Sequence, residues 1–275
     1  MRLMVIGDPA RQKKDAPLVG NRIFDETTYA PIDKIRIGTG FGTQIVYKEE
    51  PVDVDAVLPI PTRRHLPMFM SAVAAFQSKA YLPFGMEGLL LFSRNAVAMP
   101  RLRQLGFVSG YRYYGLSSSV FTGIRIEMPA EILVGGRQVA VETRKQLLDV
   151  IRMHKGSKDI IMREALSSPV VESLVTDGKV VASIRHARTK TIKTRLDEDF
   201  KEQLADAVRL LGSDFGSVRT CENEIIGASL APDFSLFNRI HGRRVSDSVL
   251  RPMLRRVDEE RTIFDNVLTA LRRFF

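Results

Sequence analysis

The sequence predicts an α/β protein, and three observations predict it. Leu3-Met4-Val5-Ile6 is an apolar run that ends at Gly7-Asp8-Pro9, the form of a buried strand closing in a turn. Asp55-Ala56-Val57-Leu58-Pro59-Ile60 is a second such strand, and behind it Pro67 opens a helix through Phe76, with proline in the first turn where no amide hydrogen is needed. Farther on, Asp177-Gly178 lies between the runs Val170–Val175 and Lys179–Ile184, the strongest short hairpin signal in the chain. Strand and helix alternate first, and antiparallel hairpins follow.

In chain order, Ala10 to Gly20 is polar and basic and reads as a loop. Gly38, Gly40 and Gly42 separate Lys34–Ile37 from Gln44–Tyr47, a glycine-linked pair of short strands. Asn95 to Leu105 is helical by pattern, and Pro100 should kink or interrupt it. Ser109 to Ser119, rich in tyrosine, arginine and serine, reads as a linker into a second unit. Ile124–Met128, Glu131–Val134 and Gln138–Val141 read as short antiparallel strands. Thr143 caps a helix to about His154 with Leu147, Leu148 and Ile151 on one face. Asp159–Met162 is a strand. Asp197 starts an amphipathic helix through Leu204, Val208 and Leu211, and strands follow near Phe215–Thr220 and Asn223–Ser229. From Ser246 to Phe275 an apolar stripe (Val249, Met253, Val257, Ile263, Val267, Leu271) runs along a helix carrying Arg251, Arg255, Arg256, Arg272 and Arg273. That helix is either a solvated closing element or a docking face for an acidic partner.

Composition narrows the function classes. The chain has 275 residues, 44% hydrophobic and 27% charged, enough for one large domain or two to three subdomains with a proper core. No apolar run reaches the ~18 residues that span a bilayer, and the first run is too short for a signal peptide. One cysteine, Cys221, excludes an intrachain disulfide and fits a reducing compartment; cytoplasm is the expectation, and a viral or virion-associated origin is compatible with it. A net charge of +9 and a pI near 9.8 favour anionic partners: nucleotides, acidic proteins or nucleic acid. The four histidines (His65, His154, His186, His241) show no ligand spacing, so no zinc site is expected. Cys221 reads as a packing residue, Ser117–Ser119 lacks a nucleophile context, and Tyr111, Tyr113 and Tyr114 beside Arg112 either stack on bases or pack.

Taken in order, several segments resemble the RimK-like branch of the ATP-grasp superfamily, whose members join amino acids to carboxylates by way of an acyl phosphate. Val54-Asp55-Ala56-Val57-Leu58-Pro59 is similar to that family's first-domain strand. Phe92 to Leu105 is similar to the helix ending its N-terminal domain. Val139 to Arg144 resembles the end of its glycine-rich loop, and Asp159 to Leu166 its strand-to-hinge segment, where adenine is received. Asp177-Gly178-Lys179-Val180-Val181-Ala182-Ser183-Ile184-Arg185 closely resembles its hairpin. The strand into Leu230-Ala231-Pro232 looks like its metal-binding strand. The resemblance covers about Val54 to Pro232, each piece short, with the order carrying the weight. It implies an ATP-grasp-like fold: an N-terminal α/β subdomain (1–108), a reduced central subdomain (109–166) and a C-terminal α+β lobe with a terminal helix (167–275).

The departures fall on the chemistry. Of two phosphate-holding lysines that the resemblance implies, the first position offers Arg101 or Arg103, and the second offers Glu131 and Ile132. The glycine-rich loop is cut to Gly135-Gly136-Arg137-Gln138. The implied magnesium ligands, an Asp and then a Glu and an Asn, fall on Ser217, Gly227 and Ser229; Glu224 and Asp233 lie nearby but off register. Two features remain. Glu164 sits at the hinge. The basic run Arg185, His186, Arg188, Lys190, Lys193 and Arg195 follows the hairpin, and is either a polyanion site or a solvated edge strand. The resemblance thus implies ATP as cofactor and leaves magnesium without its ligands. The leading expectation is a divergent, impaired or inactive ligase that acts as a binding or structural component through a basic cleft, alone or within an oligomer or larger assembly. The alternatives are an active carboxylate–amine ligase with relocated ligands (Glu164, Glu224, Asp233) and a nucleic-acid-binding protein.

Overall fold

A computed structural model describes residues 1–38, 43–93, 95–107, 113–116, 126–134, 137–154, 159–166, 169–187, 190–242 and 244–272. The chain starts with β1 (Arg2–Gly7), α1 (Gln12–Val19), β2 (Glu26–Pro31), β3 (Ile35–Gly38), β4 (Gln44–Tyr47), β5 (Glu50–Pro51) and β6 (Ala56–Pro59). β1 is the centre of a parallel sheet ordered β2-β1-β6, and β3-β4-β5 forms a small antiparallel sheet beside it. Helices α2 (Leu66–Phe76), α3 (Met86–Ser93) and α4 (Asn95–Gln104) follow. The core strand β1 reads Leu3 to Ile6, all buried, as a strand covered on both faces must.

Next come β7 (Tyr113–Leu116), β8 (Ala130–Val134), β9 (Arg137–Val141), α5 (Arg144–Met153) and β10 (Asp159–Glu164). They make an antiparallel sheet ordered β7-β10-β8-β9. Along β8, Ala130, Ile132 and Val134 are buried while Glu131 and Leu133 are only half so, the period-two pattern of a sheet sealed on one side. The seal is α5, whose Leu147, Val150 and Ile151 close a small core with Ile160 and Met162. A complete capping box fixes its start: the Thr143 hydroxyl accepts from Gln146 N, and the Gln146 side chain accepts from Thr143 N.

The last third holds β11 (Val170–Thr176), β12 (Lys179–His186), β13 (Thr191–Lys193), α6 (Glu198–Leu210), β14 (Phe215–Cys221), β15 (Glu224–Ser229), α7 (Phe234–His241) and α8 (Val245–Arg272). The antiparallel sheet runs β13-β12-β11-β14-β15. The β11–β12 turn puts both Asp177 and Gly178 at positive φ (50° and 69°), the conformation its sequence called for. This sheet is packed on both faces. Phe215 stacks on Phe234 of α7, while an added Cβ on the next residue, Gly216, would lie 2.8 Å from the Phe92 ring of α3. Neighbouring strand residues point to opposite faces, so α7 lies on one side and α3 on the other. The core here is continuous with that of the parallel sheet, from Leu3 to Val257.

Several expectations are corrected. Ala10–Gly20 is not a loop but a short 3-10 turn and α1; only Asp15 and Leu18 of that helix are buried, too few apolar positions to show a period. Pro100 sits inside α4 without ending it. The expected linker contains β7, an edge strand paired with β10. β2 and α7 were not foreseen: β2 is polar for a strand, and α7 begins directly after a proline-containing turn. No helix among the described residues is long and apolar enough to cross a membrane.

Candidate functional site

In an open sheet with parallel strands, ligands bind beyond the carboxyl ends of the strands. Here β1 ends at Gly7, and Asp8 follows it. The Asp8 carboxylate accepts from Ala10 N at 2.9 Å and from the Thr62 hydroxyl at 3.0 Å, and lies 3.6 Å from His65 Nε2. Burial works against its charge, yet the two hydrogen bonds and the nearby His65 and Arg64 hold it below the usual carboxylate range. Thr62 also lines a cavity of about 150 Å3 with Pro61, Arg63, Phe92, Ser93 and Ser229. That cavity lies between the end of β6, the end of α3 and the end of β15, where the first and last sheets meet.

A seam of polar contacts holds this meeting point from the other side. Arg11 donates to Pro232 O at 2.7 Å and lies 3.3 Å from the Asp15 carboxylate. Asp233 caps α7 by accepting from Leu236 N at 2.9 Å and faces Lys14 at 3.6 Å; Ser235 donates to Lys13 O. Asp15 is wholly buried, and its Oδ2 has no hydrogen-bond partner among the described residues. Burial pushes its pKa up to about 6 against the pull of Arg11, and the charge of Asp233 adds to the rise.

The third part of the site is the pair of antiparallel sheets joined by residues 165–169. On the face of the central sheet away from α5, Glu131 stands opposite Arg163 in register. Arg163 Nε donates to Glu131 Oε2 at 2.8 Å, its Nη2 donates to the same oxygen, and Gln138 donates to it at 2.8 Å. Leu133, on that face, packs against the large core, so this face turns toward the rest of the molecule. Glu164 ends β10 opposite Ala130 and is half-buried; the next amide, Ala165 N–H, donates to Pro129 O. On the C-terminal sheet, residues in one register row share a face. One row runs Lys193, Ile184, Glu172, Arg219, Gly227. Glu172 lies 3.4 Å from His186 Nε2, whose Nδ1 is 3.4 Å from the Thr191 hydroxyl.

The residues singled out from sequence are dispersed. Arg101 and Arg103 are exposed on α4, either side of buried Leu102. Lys193 pairs with Ile184 and Arg185 with Ile192, so Arg185 and Lys193 point to opposite faces of the sheet. Lys190 and Arg195 are exposed beside β13, the sheet's edge, and Arg188 lies outside the described residues. The side chains of Tyr113 and Tyr114 and the residues Tyr111, Arg112, Ser117–Ser119, Gly135 and Gly136 also lie outside them. Cys221 is buried at the end of β14.

The residues at the implied magnesium positions do not fit that ion. Ser217 is fully buried and donates to Ser229 O at 3.4 Å, its register partner; the Ser229 hydroxyl accepts from Ala231 N; Gly227 brings no side chain. Glu224 begins β15 and Asp233 lies beyond its end, so five strand steps, about 17 Å, and a turn separate them. No group of three His, Cys, Asp or Glu side chains among the described residues could hold a metal. Sequence reasoning missed Asp8, Thr62, Arg163 and Arg219. Asp8 carried a signal, since it directly follows a buried strand; Thr62 owes its place to the side-by-side ends of β1 and β6, and Arg163 and Arg219 owe theirs to cross-strand register, which a sequence alone does not display.

No family model matches the chain, and no curated protein matches it in sequence. Its three-dimensional likenesses are close and long. D-alanine–D-alanine ligase from Coxiella burnetii superposes with a TM-score of 0.70 at 11% identity, over 99% of each chain. The ATP-grasp ligase PsnB, complexed with a minimal precursor, Mg and ADP, gives 0.63 at 12% identity, over 94% of this chain and 97% of that one. The macrocyclase MdnC, bound with the precursor peptide MdnA from Microcystis aeruginosa MRC, gives 0.64 at 9%, over 91% and 99%. The chain therefore has, along nearly its whole length, the fold of the ATP-grasp ligases.

Proposed function

We propose that this is a divergent, RimK-like ATP-grasp protein, impaired or inactive as a ligase, that works as a binding component. Its ligand is a nucleotide or an acidic protein segment held between the central and C-terminal sheets. One observation carries the reading: where the fold would need magnesium-holding carboxylates, β14 and β15 present a buried serine, a glycine and a serine whose hydroxyl is engaged by the backbone. Phosphoryl transfer without that ion leaves the developing charge poorly stabilised. The hinge position of Glu164 and the exposed cation Arg219 on β14 support nucleotide as a ligand class. So does PsnB, which is seen with ADP. A peptide ligand is supported by MdnC, bound with its precursor peptide, and by the net charge of +9 here.

An active ligase with Glu164, Glu224 and Asp233 as relocated ligands is disfavoured by the separation of the last two across β15. Nucleic-acid binding along the basic strip is disfavoured because Arg185 and Lys193 face opposite ways. Calorimetry with ATP, alone and with magnesium, paired with an assay for ADP release in the presence of free amino acids, tests the proposal. Binding without turnover is the expected result. ADP formed together with an amide product would overturn it.

A further inference from the structure

We infer that Arg219 stands in for a divalent cation on the C-terminal sheet, so that phosphate-bearing ligands bind there by direct guanidinium contact and without metal. The inference rests on the nucleotide-binding reading above and deepens it by naming the group that meets the phosphate. Arg219 lies on β14 directly opposite Gly227, and shares its face with Ser217 two residues before and with Ser229 across the strand pair. It is exposed, although the six other residues of β14 are buried. Its side chain makes no ion pair or hydrogen bond with any described residue.

The neighbours explain why its charge is available. Glu172 is the register partner on the other side, and it is drawn instead to His186 at 3.4 Å. Opposite Arg219, Gly227 offers no carboxylate; a Glu at that place would stand about 5 Å away between Cβ atoms and would quench the guanidinium. Ser217 brings only a hydroxyl, already donated to Ser229 O. Lys193 sits in the same row three strands away, about 14 Å by strand spacing, too far to share one phosphate group with Arg219. A guanidinium suits the task because its planar fork can give two parallel hydrogen bonds to one phosphate and it cannot lose its charge near neutral pH. The same sheet position that would hold a metal through carboxylates would reject a metal here, since Arg219 and Mg2+ repel.

The test is titration of ATP, and separately of inorganic tripolyphosphate, into the full chain in EDTA and in excess magnesium. Three variants accompany it: Arg219→Ala, Arg219→Lys and, on the opposite face, Arg185→Ala. Both ligands should bind in EDTA, and magnesium, which screens the phosphates, should weaken binding by up to severalfold. Arg219→Ala should weaken it at least tenfold in either condition, with Arg219→Lys between the two and Arg185→Ala unchanged. Thermal melting should be the same for all four proteins, because Arg219 is exposed. A tenfold or greater tightening by magnesium would overturn the inference. So would ATP affinity in EDTA that survives Arg219→Ala, an outcome that leaves the nucleotide-binding reading standing. Tripolyphosphate binding that depends on Arg219, without ATP binding, would uphold the phosphate site and reject the nucleotide. Binding of neither ligand would reject both.

Discussion

The central sheet and the C-terminal sheet are both antiparallel, yet they bury themselves differently. The C-terminal sheet takes α7 against Phe215 and α3 against Gly216, and joins one core that reaches back to β1. The central sheet takes α5 on one face and closes a smaller core there, and among its described residues only Leu133 reaches the large core. On its other side it keeps the charged and largely buried Glu131–Arg163 pair beside Leu133, a pair that adds little stability because desolvation of both ions offsets most of their attraction. A buried ion pair on one sheet and an exposed arginine on the other are thus among the charged groups that the helices leave on these faces.

Removing one side chain from each core separates the two. Phe234→Ala should cost about 3–5 kcal/mol and lower the cooperative unfolding transition of the shared core. Met162→Ala should cost about 2–4 kcal/mol, but hydrogen exchange should show the loss confined to β7–β10 and α5, with β11, β12 and β14 still protected. Equal loosening of both sheets in either variant would mean that there is one core and not two.

The buried carboxylate of α1 makes the stability of the folded chain depend on pH. The folded-state pKa of Asp15, about 6, lies above the ordinary value of 3.8. The folded chain therefore keeps a proton that the unfolded chain releases, and stability falls as pH rises from about 4 to about 6, then levels. At pH 7 the penalty is about 3 kcal/mol. In Asp15→Asn that decline should vanish, as read from urea midpoints at pH 4.5 and pH 7; an identical decline in variant and parent would refute the assignment. The smallest effect belongs to the central sheet: Thr143→Ala breaks the capping box and should cost about 1 kcal/mol, visible only in the exchange rates of α5 and its neighbours.

Much of the fold could be read in advance because it was written in local patterns. The Asp177-Gly178 turn, the Thr143 cap and the apolar runs of β1 and β6 each depend on residues a few positions apart. α1 escaped because its stability comes from packing on α7, not from an apolar period of its own, and β7 escaped because its partner lies more than forty residues on. The site was legible mainly as a set of substitutions against a resembled family. The positions of Gly227 and Ser229 followed from the strand that leads into Pro232 and that of Ser217 from the strand before it, whereas the Glu131–Arg163 and Arg219–Gly227 juxtapositions are products of register. The basic strip failed as one surface for the same reason, since a strand deals consecutive residues to alternate sides.

The seam in which Arg11 reaches Pro232 and α8 reaches back through Arg261 to Asp55 has a mechanical meaning. It clamps the opening strand of the chain to its closing turn, so those two parts form a single anvil. Among the described residues of 113–164 only Leu133 adds to that body's hydrophobic interior, so this plate, with a small core of its own, rests on the anvil by a narrow apolar foothold.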